Sequence, residues 1–262
     1  MRVIDFLYSL GSIPLVLIVC GVLVVLAIAG VTLTDWLLGK KMLPEDGSAL
    51  SAMIRPVQTI FAVLAAFTAI GSVTTFHKAI DLVQKEAVTI GVIRHKLDLL
   101  PGELASDIQG ALKDYLKATI SSEWPAMKSG NVNFSAGAYL YAIYARANEY
   151  PLQTNVQRMA MDSILEHVDR LFEIHEERAH FAKQALPAMV WFVLVGSGLL
   201  TIMSVSLLKM RSLMMQCICA GCVSLSVGLV LFLIFDLDHP FRGKIVVEPT
   251  PLLQQLQDIT RS

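Results

Sequence analysis

The sequence predicts an all-α membrane protein with four transmembrane helices and a helical extramembrane domain between spans two and three. Three observations predict it. Apolar stretches run over about Ser12–Leu38, Val57–Phe76, Leu186–Leu208 and Leu213–Phe235. Each is close to or above the ~20 residues a helix needs to cross a ~30 Å hydrocarbon core. Without water to satisfy backbone polar groups, such runs must be helices. Within them Asp35 is the one formal charge, and they are grouped two and two around a charged segment. Composition agrees: 55% of residues are hydrophobic and 16% charged, with mean hydropathy +0.60, against about 25% charged in soluble domains. The net charge of −1 gives no sign of nucleic acid as a partner; the lipid bilayer is the partner that composition demands.

The first span could be mistaken for a signal peptide, because Ala27-Ile28-Ala29 imitates a cleavage site and Leu17-Ile18-Val19-Cys20 a lipoprotein box. Against both, Asp5 offsets Arg2, and the apolar run is about twice a signal's ~7–15 residues. It is read as an uncleaved span. The second apolar stretch does not stop at Phe76. Ile80, Val83, Ala87, Ile90 and Val92-Ile93 continue a helical spacing among charges, so one helix of about 45 residues is expected from Pro56 to Leu99. Pro101-Gly102 breaks it. A helix over about Leu104–Ser121 follows, ending before Glu123-Trp124-Pro125, and after the polar loop Lys128–Asn133 another covers Ser135–Glu149. Tyr150-Pro151 punctuates that one. The last helix of the segment starts near Gln153, carries Met161, Leu165, Val168 and Phe172 on one face, and is expected to run into the third span with Pro187 near its entry. The resulting division is residues 1–76 as spans one and two, 77–185 as a helical domain, 186–235 as spans three and four, and 236–262 as a tail.

Charge suggests an orientation. Lys40, Lys41 and Arg55 load one short connection, and Lys209 and Arg211 the turn between spans three and four. The opposite side offers Arg2, Arg242 and Lys244 beside Asp236 and Asp238. By the positive-inside rule, both termini and the helical domain would lie outside the cytoplasm.

Past the fourth span the chain reads Asp236-Leu237-Asp238-His239-Pro240-Phe241-Arg242-Gly243. This Pro-Phe-x-Gly turn comes together with Glu86-Ala87 after span two, Glu123-Trp124-Pro125 mid-chain, and Leu186-Pro187 with Trp191 opening span three. In order and spacing the set resembles a bacterial integral membrane family described as bestrophin-like, and distantly the bestrophins themselves. Bestrophins are pentameric ion channels, mostly anion-selective, with the second helix of each subunit lining the pore. The resemblance therefore implies a homo-oligomeric channel in the cell (inner) membrane, passing small inorganic ions, with its helical domain in the cytoplasm against the charge pattern. An acidic run that helps hold calcium after Pro-Phe-Gly in bestrophins is represented here by Glu248 alone, so calcium gating is not implied.

A pore needs an apolar constriction and polar or charged rings. Span two supplies a candidate stripe at four- and three-residue steps: Ile60, Leu64, Phe67, Gly71, Thr74 and Lys78. Ile60–Phe67 would form the neck, Gly71–Thr74 a throat, and Lys78 a mouth that attracts anions. The neighbouring face of Ala65, Thr68, Ser72 and Thr75 is small and hydroxylated, which suits close helix packing, and apolar stripes in spans serve packing as readily as pores. Glu86 and Arg178 fall on two long helices expected to lie side by side, where they would brace the domain or contact permeating ions, or else form a structural ion pair or remain two solvated side chains. Asp236 and Asp238 would form an ion-binding lip or mark the water interface, with Asp238 capping the turn into Pro240.

No enzyme or cofactor is expected. Glu177-x-x-His180 has the spacing of a di-iron half-site, but no second such motif exists, and these charges, with His167, Glu173 and His175, are read as solvated. Cys217-x-Cys219-x-x-Cys222 lies in an apolar span, where Cys217 and Cys219 stand about 200° apart on a helix, so no metal site is expected there. A non-conducting scaffold or signalling protein, whose helical domain binds a partner, is the alternative function.

Overall fold

The computed structural model describes residues 12–38, 46–131, 134–208, 210, 212–243 and 245–261. The described residues form helices and the loops that join them, with no strand among them: α1 (Ser12–Leu38), α2 (Asp46–Leu97), α3 (Gly102–Ala118), a π-helical turn (Thr119–Glu123), α4 (Trp124–Lys128), α5 (Gly137–Glu149), α6 (Asn155–Lys183), α7 (Ala188–Ser206), α8 (Leu213–Leu237) and α9 (Thr250–Arg261). Four of these, α1, α2, α7 and α8, are long and apolar enough to cross a membrane. The chain folds as two compact units, residues 1–74 with 185–238, and residues 75–184 with 239–262. Lys40, Lys41, Lys209 and Arg211, which carry the orientation argument, lie outside the described residues, as do Arg2, Asp5 and Lys244.

The first unit holds the apolar spans. Its core is built from Ala27 and Val31 of α1, Phe61 and Ala65 of α2, Leu194 and Ile202 of α7, and Val227 and Ile234 of α8. Small residues set the spacing, as expected where helices gain no hydrophobic drive from lipid. At Gly228 an added Cβ would come within 3.0 Å of Cys20 Sγ and 3.3 Å of its Cα, so α8 and α1 approach closely there. At Gly198 it would meet Val227 at 3.1 Å and Phe61 at 3.2 Å. Span hydroxyls mostly donate back to their own helix, as Thr68 does to the Leu64 carbonyl (2.8 Å) and Thr74 to that of Ile70 (2.8 Å). Gln216 reaches across, donating to the Ser206 carbonyl at 3.0 Å.

The second unit packs the later part of α2 against α3, α5 and α6, with α9 on top of α3. Ile90 and Ile93 of α2, Leu112 of α3, Ile143 of α5 and Ile164 of α6 are fully buried at its centre. A capping box opens α6, where Thr154 and Gln157 satisfy each other's backbone N–H groups. α9 is amphipathic and seats Leu252 and Ile259 in the core, and Gln109 donates to the Ile259 carbonyl at 3.3 Å.

Four local expectations are corrected. α2 begins at Asp46, so Pro56 lies inside the helix rather than at its start. Helical backbone does not stop before Glu123-Trp124-Pro125. It absorbs one extra residue as a π turn and continues to Lys128, because Pro125 falls at a helix N-terminal position that needs no backbone donor. α6 does not run into the third span. Gln184 is extended (ψ 131°), Pro187 disfavours helix at Leu186, and the Leu186 N–H donates to Asp238 Oδ1 at 2.7 Å instead of continuing a ladder. The tail carries a helix, α9, where none was anticipated.

Candidate functional site

Two groups of residues bear on function. On α2, in the first unit, Ile60, Phe67, Gly71 and Thr74 are exposed within the single chain and Leu64 is half-buried. Phe67 stands 72% exposed and Ile60 58%. The adjoining face is the buried one: Ala65 and Ser72 are at 4% and 3%, with Thr68 and Thr75 half-buried. Ala65 and Ser72 thus face the interior of the unit, while the stripe shares an open surface with Ala62, Val63, Ala66, Ile70 and Val73. Lys78, further along α2 in the second unit, is exposed; beyond it Lys85 pairs with Asp81 at 2.6 Å on the helix surface.

The second group is a buried polar node in the second unit. Arg178 of α6 has no exposed surface. Its Nε donates to Glu86 Oε2 at 2.8 Å and its Nη2 to Glu86 Oε1 at 3.4 Å and Glu123 Oε2 at 3.1 Å. Its guanidinium carbon lies 5.1 Å from the centre of the Trp124 ring. Glu86 also accepts from the Tyr115 hydroxyl at 2.5 Å, and Glu123 Oε1 accepts from the Ala136 N–H at 2.9 Å. Trp124 continues the chain of contacts: its indole N–H donates to the Val247 carbonyl at 3.2 Å, and its ring meets Phe241 edge-on at 5.7 Å. Glu86, Glu123, Trp124, Arg178 and Phe241, scattered through the sequence, therefore meet in one place.

The electrostatics follow from burial. The two carboxylates and the Tyr115 ring hold the Arg178 guanidinium charged, its pKa raised despite desolvation. Burial, then the Glu86 carboxylate, push the Tyr115 hydroxyl well up. Burial outweighs the attraction of Arg178 at Glu123, whose pKa is raised. His175, read from sequence as solvated, is at 1% exposure, and burial with the nearby guanidinium lowers its pKa to about 3. Glu173, Glu177 and His180 are exposed.

The turn after α8 attaches to the same unit. Pro240 accepts from the Val247 N–H at 2.8 Å, Gly243 takes φ 99°, which only glycine adopts cheaply, and Phe241 is buried at 2%. Gly130, at φ 78°, leaves room for the Arg242 guanidinium, which would lie 2.6 Å from any added Cβ. In the first unit, Asp238 accepts from the Leu186 N–H and, at 3.4 Å, from the Trp191 indole, while Pro187 begins α7. Pro125 lies beside Trp124 in the first turn of α4.

Tyr115 and His175 escaped the sequence reading although a signal existed. Met161, Ile164, Val168, Leu171, His175 and Arg178 form a continuous buried stripe on α6 at alternating three- and four-residue steps. The stripe chosen from sequence, through Leu165 and Phe172, lies beside it and is half-buried. On α3 the buried positions Leu104, Ile108 and Leu112 point on to Tyr115.

Residues 21–252 match the model of the bestrophin-like domain family. Solved structures agree in fold. A mutant of a bacterial bestrophin homologue from Klebsiella pneumoniae superposes with TM-score 0.67 at 15% identity, covering 94% of each chain. A second mutant from that organism gives 0.62 at 16%, covering 94% of this chain and 98% of the other. The homologue phased on zinc gives 0.62 at 14%, covering 91% and 97%. A search of curated proteins finds no sequence match.

Proposed function

The chain belongs to the bestrophin-like family, and from that membership we propose that it is an ion channel assembled from several copies, with α2 of each copy lining the pore. The carrying observation is the sidedness of α2. Its small face, Ala65 and Ser72, is buried in the subunit, whereas Ile60, Phe67, Gly71 and Thr74 stay open. In a ring these side chains form an apolar neck followed by a wider throat, and Lys78 favours anions. Residues 1–76 and 186–235 are the conducting part, in a cell (inner) membrane, and 77–185 a helical domain followed by the tail 236–262. By analogy with bestrophins the ring has five members. The buried node holds the helical domain in one arrangement.

A non-conducting scaffold has one observation in its favour: Val156 and Met159 are 61% and 72% exposed on α6, an apolar surface suited to a protein partner. Counting the subunits of the purified protein and locating their second helices separates the two. A central ring of second helices supports the channel; a monomer or dimer removes it.

A further inference from the structure

The buried node carries one negative charge too many. Glu86, Glu123 and Arg178 have no exposed surface, and two carboxylates face one guanidinium. An uncompensated buried charge is expensive, and proteins commonly remove it by shifting a protonation equilibrium. Beside the surplus carboxylate lies a second anomaly. His175 is buried at 1%, and neither ring nitrogen has a hydrogen-bond partner among the described residues, yet its Nε2 stands 3.4 Å from Glu123 Oε1. Buried polar atoms left in this way are rare and ask for an explanation.

We propose that Glu123 carries a proton in the folded protein and donates it from Oε1 to Nε2 of neutral His175, making the node a proton-binding site that couples the packing of the helical unit to pH. One proton removes the surplus charge and gives Nε2 a partner, and it moves no atom far. A protonated carboxyl keeps acceptor capacity, so Oε1 still accepts from the Ala136 N–H and Oε2 from Arg178. The ring keeps its own proton on Nδ1.

The surroundings favour Glu123 over the other members. Glu86 is already matched, forked by Nε and Nη2 of Arg178 and bonded by the Tyr115 hydroxyl. An imidazolium at His175 would be buried beside the Arg178 guanidinium, and both effects oppose it. Of the other contacts on the ring, Tyr115 at 5.6 Å and Phe134 at 5.8 Å are aromatic, with Lys183 5.2 Å over Phe134. The site joins α2, α3, the π turn, the start of α5 and α6. Loss of the proton at alkaline pH restores the surplus buried charge, loosening the π turn against α6.

The test is infrared difference spectroscopy on the full chain in detergent, at a pH of about 6, where exposed carboxylates are ionised. The wild type should show the carbonyl stretch of a protonated carboxylic acid, fading as the pH is raised. Glu123→Gln, which keeps the side-chain shape but has no carboxyl proton, should lack that band. His175→Phe should keep it at higher frequency, because the acceptor is gone. Absence of the band in the wild type, its persistence in Glu123→Gln, or an unmoved band in His175→Phe overturns the proposal. If one variant fails to fold, the wild-type band and the other variant decide.

Discussion

Replacing Arg178 with methionine tests whether the node holds the helical unit together. Methionine fills much of the same volume, so the main loss is electrostatic. Arg178 makes three bonds to Glu86 and Glu123 at 2.8, 3.4 and 3.1 Å with no exposure, and stacks on Trp124. Removing one member of a buried pair strands the other and costs about 3–5 kcal/mol. Loss of the cation–π contact adds up to about 2 kcal/mol where the site is dry. A total near 3–5 kcal/mol is expected, because Tyr115 still serves Glu86. Arg170 is the control: its pair with Glu173 is mostly exposed, and such pairs contribute at most about 1 kcal/mol. Melting of the purified protein should therefore fall sharply in Arg178→Met and hardly at all in Arg170→Met. Adding Glu86→Gln to Arg178→Met should recover part of the loss, since the stranded carboxylate is then gone. Equal melting of Arg178→Met and the parent would refute the reasoning.

Phe241→Ala removes a ring buried against Trp124 and should cost about 3–5 kcal/mol in detergent melts; an unchanged melt would mean that the turn contributes no packing. His175 titrates near pH 3 when folded and 6.5 when free, so the unfolded chain binds more protons between those values. Its contribution is therefore present above 6.5 and lost toward 3, roughly 4–5 kcal/mol across the window, partly offset by Glu123, whose raised pKa acts in the opposite sense. His175→Phe should flatten the acid side of a stability-against-pH curve, and an unchanged curve would exclude the histidine. A topology reporter fused after Ser262 should be active outside the cytoplasm if the Lys40, Lys41, Lys209 and Arg211 loops obey the positive-inside rule. Cytoplasmic activity would favour the bestrophin-like arrangement.

The four spans were legible because the bilayer demands long apolar helices, a constraint written in composition and length. The helical segment between them was legible in outline from its periodicity. Its boundaries failed where local pattern does not encode how the chain is satisfied: the π turn at Glu123, the Leu186 N–H captured by Asp238, and α9, whose short amphipathic pattern follows a proline-punctuated tail. The motif residues could be named from sequence, but not their meeting point. That meeting depends on which of two adjacent stripes of α6 faces inward, and a half-step shift hid His175 while leaving Arg178 in view. The exposure of Ile60 and Phe67 was out of reach for the same reason, since an apolar stripe in a span reads alike whether it meets lipid, a helix or a pore.

Ion flux through liposomes containing Phe67→Ala, measured with its melting point, tests the channel most directly. Phe67 is 72% exposed in the subunit, so its truncation leaves little internal cavity. The account predicts that flux rises, because the bulk that keeps an apolar neck dry has gone, while melting changes little. Flux indistinguishable from the parent would contradict a pore lined by α2.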